Sequence, residues 1–244
     1  MIVHDAWHNV LDHAVDSVTL GGVSHVFTTA RQAGSFGLGT QEAVAAVTAR
    51  WTTLADGLEV RGVHRLATAY QVHGATIATH GAGWNGVLRM RGVDGHVTNV
   101  PGTALAVTVA DCTPVFIAHP AGAIAALHAG WRGTASRILD AGLDALAGLG
   151  YAPEECSVHF GPAICGKCYE VGPEVLTAVH SRPVARHGLL DVRAVLATQA
   201  YARGVTSLSS TALCTRCDNG KLFSHRAGDD GRQLGVIVLE RRSA

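Results

Sequence analysis

The sequence predicts a single α/β or α+β domain spanning residues 1–244. Three observations carry this. A chain of 244 residues is the length of one large domain. Hydrophobic residues make up 48% and charged residues 16%, a composition that buries a core and excludes a mostly disordered chain. Helix and strand patterns alternate along the whole length, with no internal repeat and no low-complexity linker.

The elements follow in order. Thr40 is placed to cap a helix whose apolar positions Val44, Val47, Trp51 and Leu54 keep the helical period. Residues 66–70 and 76–79 read as strands around the turn-like Gln71-Val72-His73-Gly74, and the glycine-rich stretch 81–95 reads as a loop. The β-rich apolar run 104–110 is interrupted by Asp111-Cys112-Thr113-Pro114. Strands at 115–118 and 123–127 flank the turn Pro120-Ala121-Gly122. A helix from about Thr134 carries Ile138, Leu139, Leu143 and Leu146 on one face and ends near Gly148. Residues 156–160 form a strand, Asp191 caps a helix through Val192, Val195, Leu196 and Gln199, and residues 234–240 form the last strand.

Charge and targeting bound the partners. Nineteen basic residues balance 19 acidic ones, so no net positive field favours nucleic acid. The longest apolar runs, 104–110 and 121–127, are far short of the roughly 18 to 20 residues of a membrane helix. Met1-Ile2-Val3-His4-Asp5 shows neither a basic start nor an apolar signal region, so the chain is expected in the cytoplasm, with its six cysteines as thiols.

Four constellations could carry chemistry. His73, Cys112 and His128 each end a strand at a tight turn, where scaffolds gather functional groups. Two imidazoles and a thiolate with an open fourth position make a catalytic zinc set, and three unrelated polar residues at strand ends are the bland alternative. Cys165-Gly166-Lys167-Cys168 and Cys214-Thr215-Arg216-Cys217 are CxxC pairs, which can build a closed four-thiolate structural zinc site, but their separation exceeds the usual ribbon spacing. They read as ordinary thiols with no second zinc. Arg31, Arg132 and Arg226 lie beside glycine or alanine and can fork onto phosphate; Arg132 stands just ahead of a helix and is the strongest of the three. Glu170, between Tyr169 and Val171, reads equally as a buried acid–base group or a loop brace.

Taken in order, QVHG, ADCTPV, HAGWRGT, GPAI with CYEVG, and CT followed by FSHR and a later GR resemble the YfiH-type, laccase-domain or polyphenol-oxidase-like family, from about position 70 to 232. Residues 27–36 keep the family's arginine and glycine, at Arg31 and Gly34, but little else. Arg226-Ala227 stands where a double arginine is usual. The resemblance implies an α/β/β/α sandwich with mixed sheets and one zinc per chain, held by His73, Cys112 and His128. It implies phosphorolysis of adenosine, inosine and methylthioadenosine together with deamination of adenosine; some bacterial members are described as peptidoglycan editing factors.

On that reading zinc would activate water toward purine C6, with Asp111 as a candidate proton shuttle or merely a turn cap. Arg132, with Arg31 or Arg226, would hold phosphate, and Gln71 would orient base or ribose. The partners are then a small nucleoside and phosphate, and a homodimer is left open. Copper is the weaker metal alternative: the 14 histidines include no HxH pair, and Met90, in the glycine-rich loop, is the only axial methionine beyond the start. Two rivals remain, a cysteine hydrolase with Cys112 as nucleophile and His128 or His73 as base, and a non-catalytic metal-binding module.

Overall fold

The computed structural model describes residues 13–240, so the start inspected for a signal lies outside the described residues. The first half runs β1 (Ala14–Leu20), β2 (Ser24–Thr29), α1 (Val44–Glu59), β3 (Arg65–Tyr70), β4 (Ile77–His80), β5 (Gly86–Arg91), β6 (Gly95–Thr98), β7 (Thr103–Val109) and β8 (Thr113–His119). The second runs β9 (Ala123–Ala129), α2 (Trp131–Ala135), α3 (Ile138–Gly148), β10 (Ser157–Phe160), β11 (Glu170–Val171), α4 (Pro173–His180), β12 (Gly188–Leu189), α5 (Val192–Ala202), β13 (Ser207–Ser210) and β14 (Gln233–Leu239).

Two six-stranded mixed sheets result, ordered β1-β2-β14-β7-β3-β5 and β13-β10-β8-β9-β6-β4. Strand periodicity shows how they stack. On β7, Leu105, Val107 and Val109 face an apolar layer shared with Phe116 and Ala118 of β8 and Ile124 and Ala126 of β9. The alternate residues Ala104 and Ala106 face the other way, toward Leu54 and Leu58 of α1. Val115, Ile117 and Leu127, on the outer face of the second sheet, pack against Ile138, Leu143 and Leu146 of α3 and Leu196 of α5. The layers are therefore α1, sheet, sheet, and the helices of the second half: the α/β/β/α sandwich. Burial on both faces is why the central strands read as unbroken apolar runs.

Three local readings are corrected. Thr40 does not cap α1; its hydroxyl donates to Gly37 O, Ala43 is the capping residue, and Val44 is exposed. The glycine-rich stretch is not all loop, because β5 forms within it by pairing parallel to β3. The helix after residue 130 is split: Arg137 adopts φ 62° and separates α2 from α3. β1, β2, α4 and β13 had no clear periodic signal. Asp191 does cap α5, accepting from Ala194 N at 3.1 Å.

Sheet two also buries a histidine pair. His80 Nε2 and His96 Nδ1 lie 2.9 Å apart, and His96 Nε2 is buried with no partner among the described residues. Burial, aided by the neighbouring His80 charge, pushes His96 down to about 3, and burial lowers His80 as well. Both folded values lie below the unfolded value, so the unfolded chain binds more protons as pH falls. This contribution is full above about pH 6.5 and is lost between there and about 3, by about 1.4 kcal/mol per pH unit for a fully shifted group. Urea midpoints should therefore fall with acidification below pH 6.5, and less steeply in His96→Phe. Equal slopes in the two proteins would show that the pair is not what titrates.

Candidate metal centre

Three strand ends build the site. His73 stands in the turn after β3, Cys112 in the crossing from β7 of the first sheet to β8 of the second, and His128 near the end of β9. Their ligand atoms lie within 4.8 Å of one another, and the two imidazole rings meet nearly edge to face at 74°. Convergence this close is what a metal ion needs.

Asp94, wholly buried beside β6, organises the group. Its carboxylate accepts from the backbone N–H groups of Val72 (3.2 Å), His73 (2.8 Å) and Gly74 (2.7 Å), which fixes the turn and holds His73 at φ 63°. The same carboxylate lies 2.9 Å from His128 Nδ1. It sets the tautomer and leaves Nε2 as the free ligand nitrogen, the usual outer partner of a metal-bound histidine. Burial alone would raise the Asp94 carboxyl, but His128 and these backbone donors hold it below the ordinary aspartate range.

The thiol is prepared in the same way. Burial opposes ionisation of Cys112, but His128 and hydrogen bonds from both histidines bring it down to about 6. Burial would lower His128, yet the Cys112 thiolate and Asp94 carry it up to about 9. Gly130 makes room, since a Cβ there would sit 2.7 Å from Cys112 Sγ. The donor set thus fits a borderline-soft divalent ion bound by two nitrogens and one sulfur, with the remaining side open to a cleft of about 520 Å³.

The other candidates sort clearly. Arg132 lines the cleft, exposed, its guanidinium 4.3 Å from the Trp131 ring centroid. Arg226 also lines it, stacked 5.0 Å from the Tyr169 ring centroid, with Nη1 donating to Glu170 O. Arg31 does not reach the cleft. It is tied to Asp229, Asn219 O and Leu222 O and lies over Phe223, a structural role. Gln71 lines the cleft, but its amide is committed to Thr108: Nε2 donates to Thr108 O at 2.8 Å and Oε1 accepts from Thr108 N at 2.8 Å. Asp111 is present too, at φ 84°, with one oxygen accepting from Thr215 Oγ1 and the other from Arg226 N at 2.6 Å. Both its oxygens are engaged, which suits a brace better than a shuttle. Glu170 is exposed, so it is not a buried acid.

Sequence reasoning missed Asp94, Arg89 and the cleft-facing role of Arg232. The four CxxC cysteines, expected to be ordinary thiols, converge to within 4.8 Å of one another. The parallel pairing of β10 with β13 matches Phe160 with Ser210, and each strand runs on four or five residues to its first cysteine.

Residues 14–240 match the family described as multi-copper polyphenol oxidoreductase laccase. The chain belongs to this family. It is 38% identical to "Purine nucleoside phosphorylase SCO2081" of Streptomyces coelicolor over 204 residues, 80% of this chain and 83% of that one. It is 36% identical to "Purine nucleoside phosphorylase ORF3" of Streptomyces griseus, over 70% of this chain and 72% of the relative. The fold superposes on YlmD from Geobacillus stearothermophilus with a TM-score of 0.81 and 27% identity, covering 89% of this laccase-family chain and 92% of the other.

Proposed function

We propose that this chain is a zinc-dependent purine nucleoside enzyme. It phosphorolyses adenosine, inosine and methylthioadenosine to free base and ribose 1-phosphate or methylthioribose 1-phosphate, and it deaminates adenosine to inosine. The observation that carries the reading is the convergence of His73, Cys112 and His128 at the floor of an arginine-lined cleft. The names of the Streptomyces relatives support the substrate class, as does 34% identity over 161 residues to a protein named "Adenosine deaminase RL5".

Zinc suits the donor set better than copper. Met90, the axial candidate, packs against Ala69, Ala78 and Val93, and it is not among the residues that line the cleft. Bound zinc would supply Lewis acidity toward a water or a substrate heteroatom.

The chain's own residues do the rest. Asp94 fixes His128 and the His73 turn, so both are oriented by one buried carboxylate. Trp131 and Tyr169 give the cleft flat walls for a purine. Arg132 and Arg226 line the cleft and offer two positive forks to the phosphate that attacks ribose C1′ as the C1′–N9 bond breaks. Asp111 keeps the Arg226 backbone in place.

Incubation with adenosine tests this. Adenine with ribose 1-phosphate should form only when phosphate is added, and inosine with ammonia should form without it. Neither product appearing would refute the reading. Arg132→Ala should raise the KM for phosphate about 10- to 100-fold, the value of one charge-assisted contact, and slow deamination much less. An equal loss of both reactions would place Arg132 outside the phosphate site.

One observation favours a second reading. A low-pKa Cys112 beside His128, itself backed by Asp94, is also the arrangement of a cysteine nucleophile, which would suit a hydrolase acting on a cell-wall precursor. Iodoacetamide separates the two. A metal-held Cys112 alkylates slowly until chelation, whereas a nucleophile alkylates fastest in the active enzyme.

A further inference from the structure

A second cluster lies outside the cleft and plays no part in the chemistry above. Cys165, Cys168, Cys214 and Cys217 place their sulfurs within 4.8 Å of one another, and all four are free thiols. Cys168 Sγ and Cys217 Sγ are 3.4 Å apart. A tetrahedron with metal–sulfur bonds of about 2.3 Å has edges of about 3.8 Å, so the sulfurs already stand near the corners of such a site.

The backbone around them is fixed before any ion arrives. Ala163 and Cys214 form a bridge between the two segments, and Thr215 N donates to Ala163 O at 3.2 Å. Each CxxC closes a tight turn: Cys168 N donates to Cys165 O at 2.9 Å, and Asp218 N donates to Cys214 O at 2.8 Å. Cys214 Sγ accepts from two amides, Cys165 N at 3.3 Å and Cys217 N at 3.4 Å. Amide donors aimed at sulfur favour a thiolate. Lys167 and Arg216 sit inside the two CxxC loops, and Arg216 Nη1 also donates to Cys168 O. Two cations beside the cluster match the two negative charges left when four thiolates surround a divalent ion.

We propose that these four cysteines form a closed structural zinc site that clips the loop after β10 to the loop after β13. The clip would steady one wall of the cleft. Tyr169 follows Cys168 directly and carries the stacked Arg226, while Thr215 follows Cys214 and holds Asp111. This proposal stands apart from the nucleoside reading, and the test keeps the two separate.

The experiment counts metal in full-length protein purified under reducing conditions. Wild type should carry two zinc ions per chain. His73→Ala should keep one, and Cys214→Ser with Cys217→Ser should keep one. The combined variant should carry none. Cobalt loaded into His73→Ala should show intense thiolate-to-metal charge-transfer bands, a signature that a merely packed thiol cluster does not give. If the serine variant fails to fold, thiol mapping in His73→Ala decides: the four cysteines should alkylate only after chelation. Immediate alkylation of all four, a His73→Ala protein free of metal, or a Cys168–Cys217 disulfide in the reduced preparation would each overturn the proposal. Loss of nucleoside turnover with the single metal of His73→Ala still bound is the expected result; absence of turnover in wild type would sink only the nucleoside reading.

Discussion

His73→Ala should lose the metal of the His–Cys–His centre and lower both nucleoside activities by more than about 100-fold. Truncating an outer partner of a metal ligand costs about 10- to 100-fold in metal affinity or activity, and a direct ligand contributes more. His73 is one of three side chains that converge there among the described residues, so on the proposed reading its removal would leave Cys112 and His128 to hold the ion alone. Both reactions should fall together, because the proposed mechanism assigns them to one metal. Cys112 should become open to iodoacetamide without chelator. Metal analysis, turnover and mass mapping on one preparation check all three outcomes. Retained turnover with rapid labelling of Cys112 in the wild type would favour the hydrolase reading.

Asp94→Asn should be nearly as damaging, although Asp94 touches no substrate. Its two oxygens accept from three backbone N–H groups and face His128 Nδ1. An asparagine of the same size offers one acceptor oxygen and turns an NH₂ toward donors. At least two buried donors lose their acceptor, at about 1–3 kcal/mol each. The expected cost is about 3–5 kcal/mol, a fall in Tm of roughly 10 °C for a chain this long. Zinc affinity should drop about 10- to 100-fold as His128 loses its orientation. Calorimetry and competition with a chelating dye measure the two separately. Full stability with unchanged zinc affinity would show that the carboxylate does not organise the centre.

Much of this was legible in the sequence, for physical reasons that differ by element. The runs on β7, β8 and β9 could be read because burial on both sheet faces makes a strand continuously apolar. The convergence of His73, Cys112 and His128 could be anticipated because each carries distinctive chemistry next to a turn. Asp94 could not: an aspartate between Val93 and Gly95 has no local pattern, and its role exists only once β6 lies beside β9. β5 was hidden because its register comes from β3 rather than from its own residues. Arg31 and Arg226 looked alike in sequence, each a lone arginine near small residues. Only tertiary placement separates the one tied to Asp229 from the one stacked on Tyr169 in the cleft. The convergence of the CxxC pairs was hidden because they lie far apart along the chain, and the parallel β10–β13 pairing brings them together.

The most direct measurement follows adenosine, with and without phosphate, on enzyme whose His73–Cys112–His128 centre has been emptied by mild chelation and then refilled with zinc. Turnover should vanish with the metal and return with it in wild type. In His73→Ala it should stay absent at every zinc concentration that leaves the protein folded. Turnover that persists with that centre empty would contradict the assignment of zinc and of the nucleoside chemistry to these three side chains.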